Sequence, residues 1–66
     1  MVISRFTRPE LDEIHRLGNL TSDESKLLEL RAEERSLEWC AEELNVSVST
    51  INRISKRLNN KIEKIM

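Results

Sequence analysis

Residues 37–56, LEWCAEELNVSVSTINRISK, hold two helical repeats separated by a short break, and that break constrains the fold more than any other feature. Leu37, Cys40 and Leu44 recur at i, i+3 and i+7, which puts them on one face of a helix. Ile51, Ile54 and Leu58 take up the same spacing further on. Between the repeats stands Asn45-Val46-Ser47. Asn is the best substitute for Gly where a helix ends in a left-handed residue. Val46 is an apolar plug for the turn, and the Ser47 hydroxyl is placed to cap the helix that follows. Ala41 offers a bare methyl where two steeply crossed helices must touch. The spacing predicts a helix over about 37–44, a tight turn, and a second helix from near Val48 toward the C-terminus.

The remainder of the chain reads the same way. Residues 1–6 look like an arm, apolar at Met1, Val2, Ile3 and Phe6 but without periodicity. Thr7 and Glu10 form a capping-box pair, with Pro9 early in the helix where a missing N–H costs little. Helix one then runs to about Leu17, facing inward with Leu11, Ile14 and Leu17, and Gly18 ends it. Thr21 and Glu24 repeat the box and open a helix to about Glu34, with Leu27, Leu28 and Leu30 on its apolar face. Ser36 starts the helix at 37. No strand-like alternation, repeat or Gly-rich phosphate loop interrupts this pattern. The expected fold class is all-α: one compact four-helix (tetrahelical) helix-turn-helix domain over 1–66, with the recognition helix at about 48–64.

Composition narrows the function classes. A chain of 66 residues buries only ~60% of its unfolded surface, so its helices must pack well or associate. Charged residues make up 35% against 38% hydrophobic, with one Gly and one Pro, which is a helical and not a disordered balance. No apolar run approaches the ~20 residues of a membrane span, and no signal-peptide pattern opens the chain. The single cysteine cannot form an internal disulfide, so a reducing cytoplasm is the expected home. Cys40 falls on the inward face and reads as a small core residue.

Net charge is −1, an unpromising total for a nucleic-acid binder, but its distribution is polar. Residues 1–46 carry six Lys+Arg against eleven Asp+Glu, a net of −5. Residues 47–66 carry Arg53, Lys56, Arg57, Lys61 and Lys64 against Glu63 alone, a net of +4. The helix dipole accounts for Lys61 and Lys64 near a C-terminus. It does not account for Arg53 and Lys56 near the helix start. At ~100° per residue, Ile51, Ile54, Leu58, Ile62 and Ile65 share one face, and Ser49, Asn52, Arg53, Lys56 and Asn60 lie opposite. Arg pairs bidentately with guanine and Asn with adenine, so Asn52 and Arg53 are the candidate base readers. Ser47, Thr50 and Arg57 are better placed for phosphate. Val48, at the edge, is suited either to a thymine methyl or to burial. The alternative for this whole face is plain solvation.

Residues 20–62 resemble the tetrahelical DNA-binding domain shared by LuxR-type response regulators and region 4 of bacterial sigma factors. The matching pieces are LTSDESKLLELRA (20–32), SLEWCAEELNVSVSTIN (36–52) and ISKRLNNKI (54–62), about two thirds of the chain. Small stand-alone proteins of this form are common in phages and mobile elements. The resemblance implies major-groove binding to double-stranded DNA and a role in transcription, with DNA contact at Ser47, Val48, Ser49, Asn52, Arg53 and Lys56. A phage packaging subunit that recognises DNA would share the same fold. The chain departs from the family in two places. Glu34-Arg35 stands where Gly is usual before the third helix, and Trp39 where a polar residue is usual. With no receiver domain and no other sigma region, input sensing and polymerase recruitment lack support from the resemblance.

Trp39 points away from the Leu37–Cys40–Ala41–Leu44 face and sits among Glu38, Glu42 and Glu43. Such an aromatic marks a contact site. Three covers are open to it: the arm, with Ile3 and Phe6; a second copy in a homodimer; or RNA polymerase. This makes a protein-interaction module, working through the acidic half against polymerase or a sigma factor, the competing function. His15 has no second His or paired Cys nearby in sequence, so no metal site and no cofactor are expected. The acidic pairs Glu33/Glu34 and Glu42/Glu43 point to different sides of a helix. No strand-to-helix nucleophile turn frames the serines, and the expected reading is not an enzyme.

Overall fold

The computed structural model describes residues 3–65 as an all-α fold. The expectations placed on Met1 and Val2 lie outside those residues. A 3-10 turn at Ile3–Arg5 leads into four helices: α1 (Arg8–Leu17), α2 (Ser22–Ala32), α3 (Leu37–Glu43) and α4 (Val48–Ile65). Each start is set by the residue that sequence reasoning singles out. The Glu10 carboxylate accepts from the Thr7 amide at 2.8 Å, while Thr7 Oγ1 accepts from the Glu10 amide. The same reciprocal pair closes Thr21 and Glu24. Ser36 Oγ accepts from the Trp39 amide at 3.1 Å and Ser47 Oγ from the Thr50 amide at 3.2 Å. These caps satisfy amides that a helix start leaves without partners.

The helix ends share one device. Asn19, Glu34 and Asn45, each just past a helix, have φ of 49°, 64° and 57°. After α2 the Arg35 amide returns to Leu30 O and the Glu34 amide to Arg31 O. After α3 the Val46 amide returns to Ala41 O and the Asn45 amide to Glu42 O. Both are Schellman closures, which need a left-handed residue at the reversal. Asn tolerates that conformation; Glu has no local hydrogen bond to offset its crowded Cβ. Glu34→Gly is therefore expected to raise stability by about 1 kcal/mol, read as a higher urea midpoint at unchanged slope. An unchanged or lowered midpoint contradicts the strain at this site.

One core joins the elements. Leu11 and Ile14 of α1, Leu27 and Leu28 of α2, Cys40 and Ala41 of α3, and Ile51, Ile54, Leu58 and Ile62 of α4 are buried together with Ile3. Leu30, Leu37, Leu44, Val46 and Ile65 pack against this cluster as expected. α4 lies against α1, α2 and α3, so its apolar stripe is the common wall. Burial pushes the Cys40 thiol up from its ordinary value, in keeping with a packing role.

One expectation needs correction. Leu17 is 50% exposed and not inward-facing. A step of three residues falls ~60° short of a full turn, so the third member of a series at 11, 14 and 17 drifts off the face. Gly18 ends α1 without using glycine's conformational freedom: its φ is −78°, and Asn19 takes the left-handed position. Close packing explains the glycine instead. A Cβ there would meet Ile14 O at 2.5 Å and Leu20 Cδ2 at 3.0 Å.

Candidate nucleic-acid interface

α4 is amphipathic in the strict sense. Its buried residues Ile51, Ile54, Leu58 and Ile62 fix which way the opposite face points, and that face looks to solvent. Ser47, Val48, Ser49, Thr50, Asn52, Arg53, Lys56 and Arg57 are all exposed. Val48 is 50% exposed, so it is not buried. The helix has 18 residues, ~27 Å at 1.5 Å per residue. The molecule measures 28 × 19 × 18 Å, so α4 is as long as the molecule itself. Its start is held by two independent devices, the Asn45 reversal and the Ser47 cap. The eight side chains therefore project from a rigid, well-seated helix end.

Some of the chain's cations are spent on ion pairs and others are left to solvent. Arg8 is engaged by Asp12 and Glu29, Arg16 by Glu13, and Lys61 by Glu24. Among the described residues Arg53, Lys56 and Arg57 have no carboxylate within ion-pair distance. Lys61 is not part of the outward face at all. Its ammonium donates to Glu24 Oε1 at 2.6 Å and to Asn19 O at 3.1 Å, and so ties α4 to the start of α2. Glu24 is only 1% exposed, and its other oxygen, Oε2, is buried with no hydrogen-bond partner among the described residues. Burial pushes the Glu24 carboxyl up, but the Lys61 ammonium and the Thr21 amide more than offset this and leave it below its ordinary value.

A second polar cluster, not foreseen in the sequence, fastens α1 to α2. Glu29 receives a fork from the Arg8 guanidinium, 2.9 Å on each arm, and lies 2.7 Å from His15 Nε2. Ser25 Oγ is 3.1 Å from His15 Nδ1. A carboxylate can only accept, so Nε2 is the donor there; a neutral ring then accepts from the Ser25 hydroxyl at Nδ1. Serine, imidazole and carboxylate in a row resemble a nucleophilic relay. The same carboxylate also takes the Arg8 fork, so the row is one part of a larger tie between the two helices. The geometry favours a clamp between helices. Its signal was a set of i, i+4 positions, 25 and 29, opposite His15 and Arg8. Only the packing of the two helices reveals it. Beside it, Leu30 and Leu44 floor an open groove with Lys26 and Glu43 at its rim.

Hydrogen bonds from Arg8, with His15 adding to them, hold the Glu29 carboxyl down to about 2 despite some burial. A carboxylate depressed in the folded state stabilises the fold above its ordinary value and loses that contribution as pH falls through the folded value. Stability should therefore drop as pH falls from about 4.5 toward 2, modestly because Glu29 is partly open to solvent. Urea midpoints measured across that range should fall for the parent chain and fall less for Glu29→Gln. Parallel curves would remove Glu29 as the cause.

Trp39 is 38% exposed, with Glu38, Glu42 and Glu43 exposed around it. Ile3 and Phe6 go to the core beside α2, and the Arg35 guanidinium lies over the indole, 4.8 Å from its centroid. Comparison with family models, curated proteins and solved structures finds no match. The site's chemistry therefore rests on its own residues. Among the described residues no helix is long and apolar enough to cross a membrane, and no cluster of His, Cys, Asp and Glu is arranged to hold a metal ion.

Proposed function

We propose that the chain is a sequence-specific regulator of transcription that binds double-stranded DNA through α4. The observation that carries this reading is the solvent-facing row Ser49, Asn52, Arg53 and Lys56, whose cations have no carboxylate partner among the described residues, on a helix fixed at its start. A helix is ~10–12 Å across and the major groove ~12 Å wide, so α4 enters side-on with Arg53 and Asn52 toward base edges. Ser47, Thr50 and Arg57 take phosphates on one side, and the capped start of α3 approaches the backbone on the other. Repulsion from the acidic residues of 1–46 orients the encounter by turning the opposite side away from phosphate. A unit this small makes few base contacts, so tight binding calls for two copies on paired half-sites.

Selection of bound sequences from a random duplex pool tests the reading. Enrichment of a defined site, halved by a symmetry axis, is the expected result; no enrichment at low salt overturns it. Lys56→Ala and Arg57→Ala should weaken binding to selected and random duplexes alike. Each should reduce the slope of log affinity against log salt by about one unit. A loss confined to the selected site would make the substituted residue a base reader instead.

The exposed Trp39 favours one second reading, an interaction module docking on RNA polymerase or a sigma factor. Capture of such a partner from nuclease-treated lysate that survives Arg53→Ala but not Trp39→Ala would favour it.

A further inference from the structure

We propose that the outer face of α3 docks the basic α4 face of a second copy of this chain, in a head-to-tail contact. At ~100° per residue, Glu38, Glu42, Trp39 and Glu43 occupy an arc of about 140° on the side of α3 away from the core, and Arg35, just before the helix, lies over the Trp39 ring. All five are exposed, and among the described residues Glu38, Glu42 and Glu43 have no cation within ion-pair distance. The face is thus a partly exposed aromatic plate beside three free carboxylates. An indole face attracts guanidinium, as the Arg35 contact already illustrates within the chain.

The chain carries the complement of that face. Arg53, Lys56 and Arg57 are exposed on α4 and have no ion pair among the described residues. From Arg53 to Arg57 the helix rises ~6 Å, and from Glu38 to Glu43 ~8 Å, so the two charge rows match in length. With a net charge of −1, two copies meet without overall repulsion, and opposite ends attract. The contact joins different surfaces of the two copies, so it builds open chains of molecules instead of a closed pair. It is small and rimmed by water, which makes it weak and strongly salt-sensitive. The contact requires no DNA. It does occupy the α4 face that the proposed DNA complex uses, so a duplex and a second copy exclude one another.

Sedimentation velocity over a concentration series tests this without DNA. The parent chain should sediment faster as concentration rises at low salt and return to a single small species at high salt. Glu42→Lys/Glu43→Lys, with both faces basic, and Arg53→Glu/Lys56→Glu, with both faces acidic, should each stay monomeric. Mixed in equal amounts, the two variants should associate, because each supplies the face the other lacks. Circular dichroism checks their folding; all four sites are exposed, and Trp39→Ala supplies a further variant that should associate less. A parent chain that stays monomeric at low salt overturns the proposal, as does a mixture that stays monomeric. Association that persists unchanged in high salt also overturns it. A random duplex added to the associated parent chain separates the two readings. If association stands and the duplex leaves it intact, the DNA reading fails while the docking surface holds.

Discussion

Leu58→Ala is expected to remove about half of the chain's stability at room temperature. Leu58 is 0% exposed and sits midway along α4, the helix that contacts the other three. Truncating a buried Leu removes its transfer free energy and leaves a cavity, together about 2–5 kcal/mol. At ~0.05–0.15 kcal/mol per residue, a chain of 66 residues has only about 3–10 kcal/mol in total. Urea unfolding followed by far-UV circular dichroism should show the midpoint moved down to about half that of the parent chain at an unchanged slope. A loss under about 1 kcal/mol would mean that α4 is not seated through this face. The placement of every candidate contact on its opposite face would then be wrong.

The second large effect is on binding. Arg53→Ala should weaken binding to a selected duplex by about 1–3 kcal/mol, roughly 5- to 150-fold, and relax one base position. The substitution should leave helix content unchanged, since Arg53 is exposed and makes no ion pair among the described residues. Binding to random duplexes should fall far less, which sets Arg53 apart from Lys56 and Arg57. Unchanged affinity for the selected site would remove Arg53, and with it the base-reading role of this row of α4.

Much of the fold was legible before any coordinates. The caps at Thr7, Thr21, Ser36 and Ser47 and the reversal at Asn45 are interactions between residues at most a few positions apart, so spacing alone specifies them. The α4 stripe is legible for the same reason: helical periodicity is a local property, and once one face is apolar the other must look outward. The exposure of Ser49, Asn52, Arg53, Lys56 and Arg57 follows from that geometry. The sequence also flagged 34–35 as unusual. It could not say that Glu34 itself would take the left-handed conformation.

What stayed hidden involves separation. Lys61 counts toward a basic C-terminal half in any sum of charges, yet it turns inward to a glutamate 37 residues away. His15 looked idle until α1 and α2 were set side by side, when it fell between Ser25 and Glu29. Leu17 satisfied a spacing rule but is half exposed. The amino-acid sequence by itself determined where each helix starts, where it stops and which side is apolar, because those choices are settled within one or two turns. Only the tertiary structure decided which charges are spent on holding helices together and which are left facing solvent. That distinction depends on distances between groups far apart in the chain, and among the described residues it puts Arg53, Lys56 and Arg57 of α4, and the carboxylates around Trp39, in the group left facing solvent.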